Sequence, residues 1–267
     1  PSFAKSGRAW GYETSWGSFA QFCKVKEMQC LSKPKNLSWD EAAVYMLSGA
    51  TVYRMLFKYP PHTVQPGDVV LIWGGAGGLG TMAIQLVKMA GGTPIVVVSS
   101  SEKEHYCSSL GALVINRKEF NHWGALMHGS LMPDTQEIWR SQAKLFLKKI
   151  VALTGGRLPR IVLEHPGEST MPTSLYVCDK EGMVVTCAGT TGYLATFDVR
   201  YLWLQRKRIQ GSHYANAEDC NELNQLVMDG KIKPVLYETV SLEDLPIALQ
   251  KMYDNTHQGN TAIRIGY

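Results

Sequence analysis

Short, unbroken apolar runs alternate with stretches of helical spacing between Val69 and about Gly211. Val69-Val70-Leu71-Ile72-Trp73 has no polar interruption, as expected of a strand buried on both faces of a sheet. A helix is expected from Thr81 to about Ala90, ended by Gly91-Gly92. Ile95-Val96-Val97-Val98 reads as a second buried strand, and Glu102 to Leu110 as a second helix. Leu113–Asn116, Arg160–Glu164, Gly182–Ala188 and Arg208–Ser212 are further strand candidates. Strands separated by helices pair in parallel, so the pattern predicts an α/β fold with a doubly wound, mostly parallel sheet.

The two ends are patterned differently. Residues 1–37 are rich in glycine and aromatics, and Ser18-Phe19-Ala20-Gln21-Phe22-Cys23-Lys24-Val25 alternates with a period of two. That alternation predicts one or two strands closed by Lys33-Pro34. Two strands alone are marginal in water, so they need further sheet partners. Ser38 is expected to cap a helix whose first turn holds Asp40 and Glu41. Residues 121–150 break the strand–helix rhythm. There Trp139, Phe146, Leu147 and Ile150 lie near helical spacing and predict a helix packed on the sheet. A last helix is expected from Ser241 to about Asn255 and a last strand at Thr261–Ile265. No repeat or low-complexity tract is visible.

Composition adds exclusions. At 45% hydrophobic and 19% charged residues, the 267-residue chain reads as a folded globular protein. Its net charge of +4 is dispersed, with no basic block longer than Arg206-Lys207-Arg208, so nucleic acid is not an expected partner. No apolar run approaches the ~20 residues that span a bilayer, so no membrane is expected either. None of the six cysteines forms a C-x-x-C pair or sits at zinc-ligand spacing. They read as reduced thiols of a cytoplasmic protein. The opening at Pro1 shows no signal peptide and suggests that an N-terminal part is missing.

The chemistry starts at Gly74-Gly75-Ala76-Gly77-Gly78-Leu79-Gly80. A lone glycine pattern could be an ordinary tight turn. Here Gly75, Gly77 and Gly80 directly follow a buried strand and open an amphipathic helix, which favours a dinucleotide site. Glycine lets the backbone approach a pyrophosphate, and the helix start supplies free N–H donors. The second strand ends in Ser99-Ser100-Ser101-Glu102-Lys103, where sites for NAD usually place an acid for the ribose 2′-hydroxyl. Hydroxyls and Lys103 suit a 2′-phosphate, with Arg117 as a second positive charge, so NADPH is the expected cofactor. Glu102 opposes this unless it only stabilises its helix start. His213 follows a predicted sheet strand, where strand ends line the ligand crevice, and Glu13 sits among aromatics. On spacing alone, a solvated Glu13 and a structural His213 are the favoured readings. No nucleophile elbow or Ser/His/Asp order is recognisable, which sets hydrolases aside.

Residues 10–22 (WGYETSWGSFAQF), 70–80 (VLIWGGAGGLG), 161–168 (IVLEHPGE), 183–193 (MVVTCAGTTGY) and 197–216 (FDVRYLWLQRKRIQGSHYAN) resemble the crotonyl-CoA carboxylase/reductase family. This family belongs to the medium-chain dehydrogenase/reductase superfamily, and the resemblance runs from about Arg8 to the C-terminus. It implies a two-lobed enzyme: a Rossmann NADPH-binding domain (48–230) and a GroES-like, β-rich substrate lobe. Residues 1–47 would be the C-terminal part of that lobe, with 231–267 returning to it. The implied reaction reduces a 2-enoyl-CoA thioester with NADPH and captures the enolate with CO2 as co-substrate, giving an alkylmalonyl-CoA.

By motif position, Tyr12 and Glu13 fall on the aromatic–Glu pair of the CO2 pocket. His213 falls on the histidine that hydrogen-bonds CO2, and the Glu would act through an ordered water. Gly75, Gly77, Gly78, Leu79 and Gly80 fall on the phosphate turn. Ser99, Ser100 and Lys103 fall on the 2′-phosphate site, and Cys187, Ala188 and Gly189 on backbone passing the nicotinamide. The resemblance also implies zinc independence and an oligomer associating through the Rossmann domain. The family's long N-terminal part, with a further pocket asparagine, is absent, so the chain reads as a piece of a longer or multidomain polypeptide. Two alternatives stay open: a non-carboxylating enoyl-CoA or acryloyl-CoA reductase, such as a module of a propionyl-CoA synthase, and a catalytically silent NADPH-binding fragment.

Overall fold

A computed structural model describes residues 10–266 apart from 12, 122 and 124–132. Its first helix, α1 (Trp39–Ala43), starts where expected: Ser38 Oγ accepts from Glu41 N at 3.2 Å and Glu41 Oε2 accepts from Ser38 N at 2.8 Å. This reciprocal capping satisfies two backbone donors at a helix start. Helix α2 (Met46–Phe57) follows and leads to the first apolar run, strand β1 (Val69–Trp73), which is buried at all five positions.

Strict alternation of β-strands and helices then follows. Helix α3 (Gly78–Met89), β2 (Thr93–Val98), α4 (Ser101–Ser109) and β3 (Leu113–Asn116) form the first half. Helix α5 (Pro133–Thr154), β4 (Pro159–Glu164), α6 (Met171–Val177), β5 (Met183–Thr186), α7 (Arg200–Trp203) and β6 (Arg208–Gly211) form the second. The strands make one parallel sheet in the order β3-β2-β1-β4-β5-β6. That order is the doubly wound arrangement expected from the alternation.

The pleat sorts each strand onto two cores. Val70, Ile72, Val96 and Val98 pack with Met55, Leu56, Met82 and Leu86 on one face, joined there by Leu223 and Val227 of α8 (Ala217–Met228). Leu71, Trp73, Ile95 and Val97 pack on the other with Phe146 and Ile150 of α5 and Leu175 of α6. Phe146 stacks on Trp73 with ring centroids 5.8 Å apart. The irregular region thus contributes a core helix, as its Trp139, Phe146 and Ile150 spacing predicts. Each such side chain adds roughly 1.5–3 kcal/mol through burial.

Two expectations are corrected. No strand forms among the described residues of 10–37; the segment holds one 3-10 turn, Glu27–Gln29, while Phe19, Phe22 and Val25 are exposed. A period of two becomes a strand only when a neighbour completes its hydrogen bonds, and the described residues offer none there. In the tail, Ser241 ends a strand, β7 (Leu236–Ser241), rather than opening a helix. The helix, α9 (Leu245–Tyr253), is shorter, and β7 pairs in parallel with β8 (Asn260–Arg264). The β7 sequence mixes Tyr237, Glu238 and Thr239 among its apolar residues, so it announces itself less than the buried strands do.

Candidate functional site

The sheet order reverses between β1 and β4, and a doubly wound sheet binds ligands at the carboxyl ends of the strands flanking that point. The glycine turn lies there, between β1 and α3. Gly74 adopts a φ of +64°, Gly75 N donates to Val97 O at 3.2 Å, and Gly77 N donates to Gly74 O at 3.1 Å. A Cβ on Gly80 would come within 2.5 Å of Gly74 O and of Gly75 Cα, and one on Gly75 within 2.3 Å of Val96 Cβ. Gly75 and Gly80 are therefore demanded by the fold itself.

Gly77 is different: an added Cβ would meet only Gly74 O, at 3.5 Å. The chain does not forbid a side chain there, and glycine leaves the backbone open to close approach by a ligand. Gly77 is also the N-cap of α3 and makes no side-chain cap, which leaves first-turn N–H groups to an anion. Gly78 and Leu79 lie in that first turn. The turn thus fits a dinucleotide pyrophosphate. α3 starts three residues earlier than the sequence suggests, because packing offsets the poor helix propensity of glycine.

The second subsite candidate is the start of α4. Ser100 caps the helix, its Oγ accepting from Lys103 N at 3.3 Å, with Ser99 just before it. Lys103 is nearly buried, and its Nζ donates to Asn255 O at 2.7 Å and Asn255 Oδ1 at 2.8 Å. Desolvation pulls the Lys103 ammonium below its ordinary value, opposed by the nearby Glu102 carboxylate. Arg117 lies in a 3-10 turn after β3 with its guanidinium 5.2 Å from the Trp123 ring centroid.

At the end of β4, the wholly buried Glu164 accepts from Gly167 N at 3.0 Å, Thr170 Oγ1 at 2.6 Å and Ser174 Oγ at 2.5 Å. Burial pushes its carboxyl up to about 6, against the lowering effect of those bonds. Next to it, His165 Nε2 lies 3.1 Å from Trp73 O, and a Cβ on Gly74 would strike that ring. Burial holds the imidazole below its ordinary value, so it is neutral at pH 7. Because Trp73 O only accepts, Nε2 carries the proton and Nδ1 is left as an acceptor. The resemblance string contains Glu164 and His165, yet nothing in residue type or spacing announces a buried carboxylate bracing a loop.

Beyond β5, Cys187 N donates to Glu164 O at 3.3 Å, so Cys187, Ala188 and Gly189 follow the strand beside β4. Burial pushes the Cys187 thiol up to about 11, keeping it protonated. His213 follows β6 and is exposed, its ring 4.3 Å from that of Tyr214, while Ser212 N donates to Thr186 O at 2.7 Å. His213 therefore stands at the same carboxyl end of the sheet as Cys187. Glu13 lies exposed in a turn where Gly11 N donates to Thr14 Oγ1 at 3.2 Å, and Tyr12 lies outside the described residues.

No helix among the described residues is long and apolar enough to cross a membrane. Among the described residues, no group of three or more His, Cys, Asp and Glu side chains is placed to hold a metal ion.

Residues 78–229 match the zinc-binding dehydrogenase family. The chain is 47% identical over 268 residues to a crotonyl-CoA carboxylase/reductase of Cereibacter sphaeroides, covering 99% of this chain and 62% of that protein. Among solved structures it is similar to the crotonyl-CoA carboxylase/reductase AntE in complex with NADP, with a TM-score of 0.94 at 48% identity over 98% of this chain and 65% of that one. It is also similar to the 2-octenoyl-CoA carboxylase reductase CinF in complex with NADP and 2-octenoyl-CoA, with a TM-score of 0.90 at 39% identity over 98% and 57% of the two chains. The chain spans less than two thirds of the length of these relatives.

Proposed function

Since the chain belongs to the zinc-binding dehydrogenase family and is 47% identical to a crotonyl-CoA carboxylase/reductase, we propose that it catalyses NADPH-dependent reductive carboxylation of a 2-enoyl-CoA. NADPH supplies the hydride that the β-carbon of the enoyl thioester accepts. The single observation that carries the cofactor half is the glycine turn, whose Gly77 leaves open backbone at an uncapped helix start where a pyrophosphate can approach.

In this reading Gly75, Gly77 and Gly80 shape the pyrophosphate cradle, and Gly78 and Leu79 supply first-turn N–H donors. Ser99, Ser100 and Lys103 take the 2′-phosphate, with Arg117 adding positive charge behind them. The backbone of Cys187, Ala188 and Gly189 lines the crevice beside β4, and the protonated thiol keeps nucleophilic sulfur away from the thioester. Tyr12, Glu13 and His213 hold CO2 against the enolate carbon. CO2 is uncharged, so only bond dipoles and excluded water keep it within reach.

The acyl-CoA partner, self-association through the Rossmann domain and a cytoplasmic location belong to the same proposal. Self-association is supported by β6, which is the last strand of the sheet and carries the exposed Ile209. The cytoplasmic location is supported by six free cysteines.

The roles divide cleanly under mutation. Glu13→Ala is expected to lower ethylmalonyl-CoA formation from crotonyl-CoA several-fold more than it lowers NADPH oxidation, with butyryl-CoA accumulating instead. Equal loss of ethylmalonyl-CoA formation and NADPH oxidation would remove Glu13 from the CO2 pocket.

A further inference from the structure

The segment that returns from α9 to β8 makes bonds that hydride transfer does not require. Asn255 stands in the left-handed region with φ 55°, and both its carbonyl and its side-chain oxygen accept from Lys103 Nζ. Gln258 is 5% exposed, and its Nε2 donates to Glu102 Oε1 at 2.7 Å. Gly259 N donates to Ala76 O at 2.6 Å, and Gly259 lies in a parallel bridge with Gly77. Asn260 fills the space at Gly78, where an added Cβ would come within 2.3 Å of its Oδ1. One short segment is therefore stitched both to the phosphate turn and to the first turn of α4.

The geometry points to Asn255 and Gln258 as positioning residues that set the preference for NADPH over NADH, an inference that rests on the NADPH reading above. The first turn of α4 carries Glu102 and Lys103 side by side, one repelling and one attracting a 2′-phosphate of roughly −1.5 to −2 charges. Left free, these two neighbours would largely cancel at that site.

The return segment sorts them. Gln258 holds the Glu102 carboxylate by a neutral amide donor, which limits its pull on the neighbouring Lys103 charge. Asn255 fixes the Lys103 ammonium with two neutral acceptors, which orient it without cancelling its charge. An ammonium has three donors, so one N–H stays available to a phosphate oxygen. Aspartate at position 255 would have the same shape but would neutralise the lysine.

The test is isothermal titration of the chain with adenosine 2′,5′-bisphosphate, with 5′-AMP as the ligand lacking the 2′-phosphate. Asn255→Gly keeps the left-handed backbone while deleting the side-chain acceptor. It is expected to weaken 2′,5′-bisphosphate binding about three- to tenfold. Asn255→Asp should weaken it by more than about tenfold, the larger effect marking charge rather than shape. Gln258→Ala should weaken it about threefold or more, and adding Glu102→Gln to that variant should restore it. Throughout, 5′-AMP affinity should stay within about twofold, and KM for NADPH should rise with kcat and KM for NADH unchanged.

If wild type prefers the 2′,5′-bisphosphate but Asn255→Asp and Gln258→Ala leave that preference intact, this inference fails and the NADPH reading survives. Equal weakening of both ligands would also overturn it, marking a merely structural segment. A wild type with no preference would sink both.

Discussion

Replacing Glu164 with glutamine probes whether the β4 end is held by a buried charge. The carboxyl stands at about 6 in the native protein against an ordinary 4.5. At about 1.4 kcal/mol per pK unit, ionising it inside the fold costs roughly 2 kcal/mol more than ionising it in the unfolded chain. The native value is raised, so this cost is absent below pH 4.5, grows between 4.5 and 6, and is complete above 6. Glutamine keeps an oxygen for Gly167 N and Thr170 Oγ1 but presents an amide donor to Ser174 Oγ, which already accepts from Trp73 Nε1 at 2.8 Å. Losing the bond to Ser174 Oγ costs about 0.5–1.5 kcal/mol. Relief of the ionisation cost, which already nets the carboxylate's bonds against desolvation, is of similar size at pH 7, so Glu164→Gln should be neutral to slightly stabilising there.

The diagnostic is the pH course. Denaturant unfolding, followed from pH 4.5 to 7.5 on both proteins, should show the stability of Glu164→Gln rising relative to wild type by roughly 2 kcal/mol. Parallel pH curves would mean that Glu164 carries no elevated value, and the account of a desolvated carboxylate bracing the 165–170 loop would be wrong.

Other variants test other parts of the frame. Gly80→Ala should abolish nucleotide binding and lower stability by about 1–3 kcal/mol or more, because backbone atoms 2.5 Å away must shift; titration with NADPH and a melting curve check both, and unchanged binding would contradict the cradle geometry. Asp219, 1% exposed and 2.6 Å from Arg54 Nη1, ties α8 to α2. Truncating it to alanine removes the carboxylate from a partly buried guanidinium that keeps its bond to Tyr59 Oη, and should cost about 3 kcal/mol, read by denaturant unfolding at pH 7; a loss under about 1 kcal/mol would show that water already screens the pair.

Legibility in the sequence followed the range of the forces involved. Val69–Trp73 and Ile95–Val98 are buried on both faces, so their apolar character alone announces them, and the glycine turn between β1 and α3 is a local backbone requirement. The Ser38 cap is likewise local. By contrast, Ser18–Val25 alternates correctly but forms no strand, because a strand depends on a neighbour that periodicity cannot supply. Glu164 looked like any strand-end acid; its burial comes from Thr170 and Ser174, brought round by a loop and helix. The links from Lys103 to Asn255 and from Glu102 to Gln258 join residues about 150 positions apart. The proposed substrate rests on family resemblance, which 47% identity to a crotonyl-CoA carboxylase/reductase supports, and not on any pattern of polarity.

The most direct measurement is product analysis of NADPH oxidation by the chain with crotonyl-CoA, with and without bicarbonate and carbonic anhydrase. The account predicts faster NADPH consumption with bicarbonate and ethylmalonyl-CoA as the main product, identified by mass. Butyryl-CoA alone at the same rate under both conditions would contradict carboxylation, and NADPH binding without turnover would contradict catalysis altogether.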